Sequence, residues 1–199
     1  AGILEIDIKN GFVMMDMATP VLISTIKDAK ALDELYEIMG INYTRQFATD
    51  TAGKKIELFP QLISTGLPDI LMPVSTLDDL ASIKPNMAAL SDLSAKYKVT
   101  GVHAFTLDTK EKATTAHCRN FAPLYDIDEE AATGTSNGAL TYYFKINNII
   151  NASDSCKIIQ GEAMNRPSII LTQIEADGEK SKIKVGGSAV ILAEGEINI

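Results

Sequence analysis

The chain predicts an α+β fold in which a mixed, mostly antiparallel sheet curls barrel-like around one central buried helix. Three observations carry that prediction. Residues 132–147 place Ala139, Leu140, Tyr142, Tyr143, Phe144 and Ile146 nearly all round a helical wheel, the pattern of a buried helix. Short apolar or alternating runs, punctuated by Gly, Pro, Asn and Asp, recur before and after it. Strands and helices do not alternate as they would in a βαβ sandwich.

The elements follow in chain order. Residues 2–8 (Gly-Ile-Leu-Glu-Ile-Asp-Ile) and 12–17 (Phe-Val-Met-Met-Asp-Met) flank Asn10-Gly11, a strong hairpin signal, and Pro20 ends the second strand. Between Asp28 and Met39 the residues Ala29, Leu32, Leu35, Tyr36 and Met39 keep helical spacing, with Gly40 as the stop. Residues 41–58 have weak periodicity and suit a loop or a short irregular hairpin. Two strands, 61–66 and 69–74, meet at Gly66-Leu67-Pro68. Helices are expected over 76–83 and 87–96. Strands are expected over 99–107 and 113–121, then 155–160, 168–176 and 182–193, with turns at Asp177-Gly178-Glu179 and Glu194-Gly195-Glu196.

Composition excludes several function classes. In 199 residues, 46% are hydrophobic and 22% charged, an ordinary globular balance. A net charge of −8 argues against nucleic-acid or anionic-membrane surfaces as partners. The two cysteines, Cys118 and Cys156, are too few for a disulfide framework and lack metal-ligand spacing with His103 and His117. They read as small core residues on strands. No apolar run is long enough to span a bilayer, so the expectation is a soluble, cytoplasmic protein with no metal and no cofactor.

The stretch 129–140 draws the functional reading. Glu129 and Glu130 precede a run of small residues, Ala131 to Ser136, which opens the buried helix with Thr133 or Thr135 as N-cap. The first turn of a helix leaves N–H groups unpaired and carries partial positive charge, so it suits a carboxylate or phosphate. The plain alternative is that acids favour helix starts and small residues favour tight packing, without any ligand.

Four motifs in order extend the reading. Glu129 to Ser136 resembles the E-D-P-A-T-G-S-A motif of the phenazine-biosynthesis PhzF-like isomerase family, which shares its fold with diaminopimelate epimerases. Arg119-Asn120-Phe121-Ala122-Pro123 resembles that family's R-x-F-A-P. Residues 160–168, from Gln160-Gly161 to Arg166-Pro167-Ser168, resemble its Q-G-x-x-M-x-R-P-S, and residues 185–190 its V-G-G-x-A-V.

The resemblance implies cofactor-free acid–base isomerisation by carboxylates on a small carboxylated substrate. Glu130 stands where the family has aspartate and is the implied catalytic residue, and Ala131 stands where the family has proline. Thr133, Gly134, Thr135, Ser136, Gln160 and Gly161 are the implied substrate-binding residues. Ser64, Thr65 and Gly66, in a turn like the family's S-x-G-x-P-x-L, are candidates for the same neighbourhood. Arg119 is left with two roles, pairing Glu129 or Glu130, or supporting a substrate carboxylate. Against the epimerase E-T-x-A-C-G-[ST] motif, Thr133 falls where the thiol would be. Threonine forms no thiolate at accessible pH, which disfavours two-thiol racemisation.

The family's principal glutamate and a Gly-His-Ala/Pro motif lie in a lobe preceding the strand that residues 2–8 resemble. The expectation is therefore a C-terminal lobe, 21–199, with residues 1–20 as remnant strands of the first lobe. Its implied partners are that lobe and a second copy of the chain in a homodimer. Such a chain alone is expected to be inactive. The alternative function is a non-catalytic small-anion-binding or assembly module.

Overall fold

The computed structural model describes residues 5–9, 11–151, 153–177, 180–188 and 193–196. Parts of several expected features lie outside these: residues 2–4, Asn10, Gly178, Glu179, 189–192 and 197–199. The chain opens with β1 (Ile6–Lys9), β2 (Phe12–Asp16) and β3 (Val21–Thr25), followed by α1 (Ala29–Ile38). Next come β4 (Gln46–Thr49), β5 (Lys55–Leu58), β6 (Gln61–Ser64) and β7 (Pro68–Pro73), then α2 (Leu77–Ser82) and α3 (Met87–Tyr97). Strands β8 (Val102–Thr106), β9 (Ala116–Ala122) and β10 (Ile127–Glu130) lead into α4 (Gly134–Ile146). The remaining strands are β11 (Ser155–Gln160), β12 (Ser168–Asp177) and β13 (Lys180–Ser188).

One 11-stranded mixed sheet organises these elements, in the order β1-β2-β13-β12-β11-β9-β8-β7-β6-β3, with β10 paired to β9 off this path. Among the described residues only the β7–β8 and β9–β11 pairings are parallel; strands β4 and β5 form a separate two-stranded sheet. The architecture is a mixed α+β fold with a large sheet and few helices.

Side chains alternate along each strand, and the sheet separates two cores. On β7, Ile70 and Met72 join Leu35, Tyr36, Leu90 and Leu93 of α1 and α3. Leu71, one residue out of phase, joins Phe105, Ile158 and the α4 residues Leu140, Tyr143 and Phe144 on the other face. Helix α4 also contacts β12 and β13 as well as β6 and β7. Its residues Ser136 to Thr141 are all buried, which explains why its sequence is apolar or small all round.

Helix ends follow their local chemistry. Asp28 caps α1 through the Ala31 amide at 3.0 Å, and Thr76 with Asp79 forms a capping box on α2. Four strands differ from expectation. Residues 21–25 form β3, whose run Val21-Leu22-Ile23 is exposed on both faces and so shows no period-two burial. Residues 46–49 and 55–58 form a regular hairpin, β4–β5, around a turn at Asp50, whose carboxylate accepts from the amides of Ala52 and Lys54. Residues 127–130 form β10 rather than a simple lead-in to the helix.

Residues expected as a remnant of another lobe continue the main sheet here: β2 pairs with both β1 and β13. Of the two, only β1 is an edge strand, with Ile6 and Ile8 (72% exposed) open to solvent. The β2–β13 contact is close. A Cβ added at Gly186 would collide with the Val13 carbonyl oxygen and approach Met14 Sδ at 2.8 Å. Gly186→Ala should therefore destabilise the protein by roughly 2–4 kcal/mol, read as a lower urea midpoint.

Candidate active site

The site is built where β10 hands the chain to α4. Glu130 lies opposite Asn120 of β9, at an irregular pairing that turns the chain out of the strand. Two alanines later Thr133 is the N-cap, in extended conformation, but its side chain does not cap. Its hydroxyl instead donates to Glu130 Oε2 at 2.5 Å. The first helical bond runs from the Asn137 amide to the Thr133 carbonyl at 3.1 Å. The amides of Gly134, Thr135 and Ser136 precede it and have no carbonyl inside the helix to bond.

Behind this turn Gln160, fully buried at the end of β11, makes four bonds to nitrogen and oxygen partners, and its Oε1 also meets the Cys118 thiol at 3.9 Å. Its Nε2 donates to the Glu130 carbonyl at 2.7 Å and to Thr133 Oγ1 at 3.0 Å. Its Oε1 accepts from the Thr133 amide at 3.1 Å and from Asn137 Nδ2 at 2.8 Å. Two donors and two lone pairs are the whole capacity of a primary amide, so nothing remains for a ligand. Gly161 is required next to it: its φ is +86°, and a Cβ would collide with the Arg166 carbonyl and meet the Ala131 carbonyl at 2.8 Å. Gln160 and Gly161, which the resemblance implies bind substrate, lie behind the turn and hold it against the cavity.

In front of the turn is a cavity of ≈ 490 Å³, lined by Glu130 and by Thr133, Gly134, Thr135 and Ser136 together. Ala132, Asn120, Thr100, Leu67 and Ile127 complete much of its wall, and no Lys, Arg or His is among its lining residues. Thr65 approaches from β6's end, donating to the Thr135 carbonyl at 2.8 Å. Arg119 is committed elsewhere. Its guanidinium pairs in fork geometry with Glu129, both bonds at 2.8 Å, and its Nη1 donates to the carbonyls of Leu80, Ala81 and Ile83 at the end of α2.

The sequence reading missed Asp69. It lines the cavity from β7, is only 2% exposed, and its Oδ2 accepts the Ser136 hydroxyl at 2.5 Å while its Oδ1 has no partner. Burial pushes its carboxyl up to about 6; the Ser136 hydroxyl and the Gly101 amide, the latter short of a hydrogen bond, oppose this, and the Glu130 charge adds to it. The signal was the two-residue period. Asp69 shares the inward face with Leu71, where an acid is out of place unless a site needs it.

The remaining titratable candidates are inert at neutral pH or stand apart. Burial holds the His103 imidazole down to about 4, against the Asn120 and Asn137 side chains, so it is neutral. Cys118 and Cys156 are buried on β9 and β11, and burial pushes both thiols up. Neither should react with iodoacetamide in the native protein, while both should after unfolding in urea, as read by mass spectrometry. His117 Nδ1 meets Glu162 Oε2 at 2.6 Å beside a separate cavity of ≈ 250 Å³. Among the described residues no group of three His, Cys, Asp or Glu side chains could hold a metal, and no helix is long and apolar enough to cross a membrane.

Asp69 and His103 oppose each other in pH. Between its ordinary 3.8 and about 6, Asp69 is ionised when unfolded but protonated when folded, so it removes stability as pH rises. Between 6.5 and about 4, His103 is protonated only when unfolded, so it removes stability as pH falls. Asp69→Asn should gain roughly 3 kcal/mol above pH 6.5 and almost nothing near pH 4. Urea midpoints against pH would check this, and the variant should retain only the histidine slope.

The chain's relatives agree with the motifs. The profile of the phenazine biosynthesis-like protein family matches residues 5–195. An uncharacterized isomerase of Clostridium acetobutylicum is 32% identical over 141 residues, covering 69% of this chain and 47% of that protein. The trans-2,3-dihydro-3-hydroxyanthranilate isomerase of Pseudomonas fluorescens is 26% identical over 200 residues, covering 97% of this chain and 62% of its own. The crystal structure of a Bacillus anthracis phenazine biosynthesis protein of the PhzF family superposes with a TM-score of 0.75 at 22% identity, over 98% of this chain and 64% of that one. The matched region is thus about half to three fifths of these proteins' length. With a profile match from residue 5 to residue 195, the chain belongs to the phenazine biosynthesis-like, PhzF, family.

Proposed function

We propose that the chain carries one side of a cofactor-independent isomerase site that moves a proton on a small carboxylated substrate. The observation that carries this reading is the meeting of Glu130 with three first-turn amides, which have no carbonyl within the helix to bond, at one ≈ 490 Å³ cavity. The substrate carboxylate lies against the amides of Gly134 to Ser136, where the helix dipole favours negative charge. Glu130, held by the Thr133 hydroxyl, takes and returns the proton at the adjacent carbon. Gln160 keeps the two in register through its four bonds. The isomerase names of the Clostridium and Pseudomonas relatives support the reaction class.

The proposal includes the setting of the site. The sheet closes barrel-like around α4, a diaminopimelate epimerase-like arrangement supported by that helix's contacts with β6 and β7 and with β12 and β13. The cavity is completed by a second lobe of the kind the longer relatives have room for, in a cytoplasmic homodimer. Exposed apolar residues on the two sheet edges, Ile6 and Ile8 on β1 and Val21 to Ile23 on β3, support such covering partners.

The test is exchange of solvent deuterium into a panel of small cyclic and amino-acid carboxylates, by this chain alone and fused to the N-terminal lobe of the Clostridium relative. Exchange is expected only in the fusion, and Glu130→Gln should reduce it by about 10²–10⁴-fold. Exchange by the chain alone would remove the need for a second lobe. Exchange unaffected by Glu130→Gln would remove Glu130 from the chemistry.

A further inference from the structure

We propose that Asp69 couples carboxylate binding at the first turn of α4 to the uptake of one proton, so that the cavity takes an anion and a proton together. The inference rests on the anion-binding reading above and adds to it the group that controls when the anion can enter.

The geometry sets the problem. The three first-turn amides without a carbonyl inside the helix belong to Gly134, Thr135 and Ser136, and the side chain of the last already serves a buried carboxylate, donating to Asp69 Oδ2 at 2.5 Å. Asp69 therefore sits as a resident negative charge against the same turn. Glu130 is a second acid on the cavity, and among the described residues no cationic side chain lines it. A ligand carboxylate at the amides would be a third negative charge in a confined, partly desolvated space, where like charges strongly oppose one another.

Protonating Asp69 relieves this. Its buried Oδ1 has no partner to stabilise the ionised form, whereas Glu130 is only half-buried and accepts the Thr133 hydroxyl. The groups facing Asp69 carry no positive charge: Ser136 from α4, the Gly101 amide before β8, and Glu130 from β10, which itself favours protonation of Asp69. His103 on β8 is neutral. Burial already brings the Asp69 carboxyl to about 6, within reach of a ligand's field at neutral pH. The proton also reverses the hydrogen bond. Asp69 then donates through Oδ2 to Ser136 Oγ, and the Ser136 hydroxyl hydrogen turns to the incoming carboxylate as a further donor beside the amides. No proton is created or lost; it comes from solvent and leaves with the ligand.

Isothermal titration calorimetry of the full chain with benzoate, from pH 5.5 to 8.5 in imidazole, bis-Tris and Tris, reads the coupling directly, since these cationic buffers do not compete for the site. Close to one proton should be taken up per benzoate at pH 7.5, and the Kd should rise about tenfold per pH unit above roughly 6. Asp69→Asn should bind without proton uptake, with a flat Kd and about 30-fold tighter than the unaltered chain at pH 7.5. Glu130→Gln should keep the uptake. Independently of any variant, the Asp69 carboxyl carbon followed by NMR should titrate at higher pH with benzoate than without. Binding without proton uptake, or uptake that persists in Asp69→Asn, overturns the coupling and leaves the anion site intact. Failure of benzoate to bind any form at any pH, with the amide signals of residues 134–136 unmoved, overturns both.

Discussion

The side-chain amide of Gln160 holds together three segments that would otherwise be independent: the end of β11, the end of β10 and the start of α4. Because all four of its bonding positions are filled inside the protein, the orientation of the Glu130–Thr133 turn is set from behind. Thr133 is then free to turn its hydroxyl to Glu130 rather than to the helix amides. That choice leaves the first turn of α4 uncapped by its own side chain, so the cavity has donors to offer. The rest of the site is arranged around this one buried group, including the glycine beside it that lets the backbone pass under Ala131.

The buried polar groups near α4 work against the stability of the fold. Asp69 Oδ1 and His103 Nε2 are buried without partners, and each displaces its group's protonation from that of an unfolded chain. A packed core would be served better by apolar residues of the same size. The tension is concentrated on one face of β7 and β8, beneath the cavity, whereas the opposite face packs Ile70, Met72, Val102 and Ala104 into the apolar cluster of α1 and α3. Such a division between a stabilising face and a polar face is what the proposed proton transfer would ask of its scaffold.

Much of this was legible in the sequence, and the parts that were not have identifiable reasons. The buried helix showed itself because its apolar residues ran all round, and Thr133 was one of two candidates for its cap. The Glu130-to-Ser136 grouping followed from chain proximity, since a strand end and a helix start seven residues long share one cavity. Asp69 was hidden because it is 67 residues away from its partner Ser136, and pairing across the sheet cannot be read from spacing. Gln160 was found by resemblance, yet its role depended on bond counting that only coordinates allow. Strand β3 escaped because exposure on both faces erases the alternation by which strands are recognised.

The pairing of β2 with β13 has a consequence for how the chain is made. Met15 pairs with Val185, about 170 residues later. At a synthesis rate of about 5–20 residues per second, that partner emerges roughly 10–30 s after β2. Throughout that interval the β1–β2 hairpin lacks one of its sheet neighbours, and Ile6, Ile8 and Phe12, exposed even in the finished fold, face solvent. Completion of the sheet is a late, long-range closure, which slows folding relative to locally connected folds of the same size. Until that closure the hairpin's open edge is a place where another strand can pair in its stead.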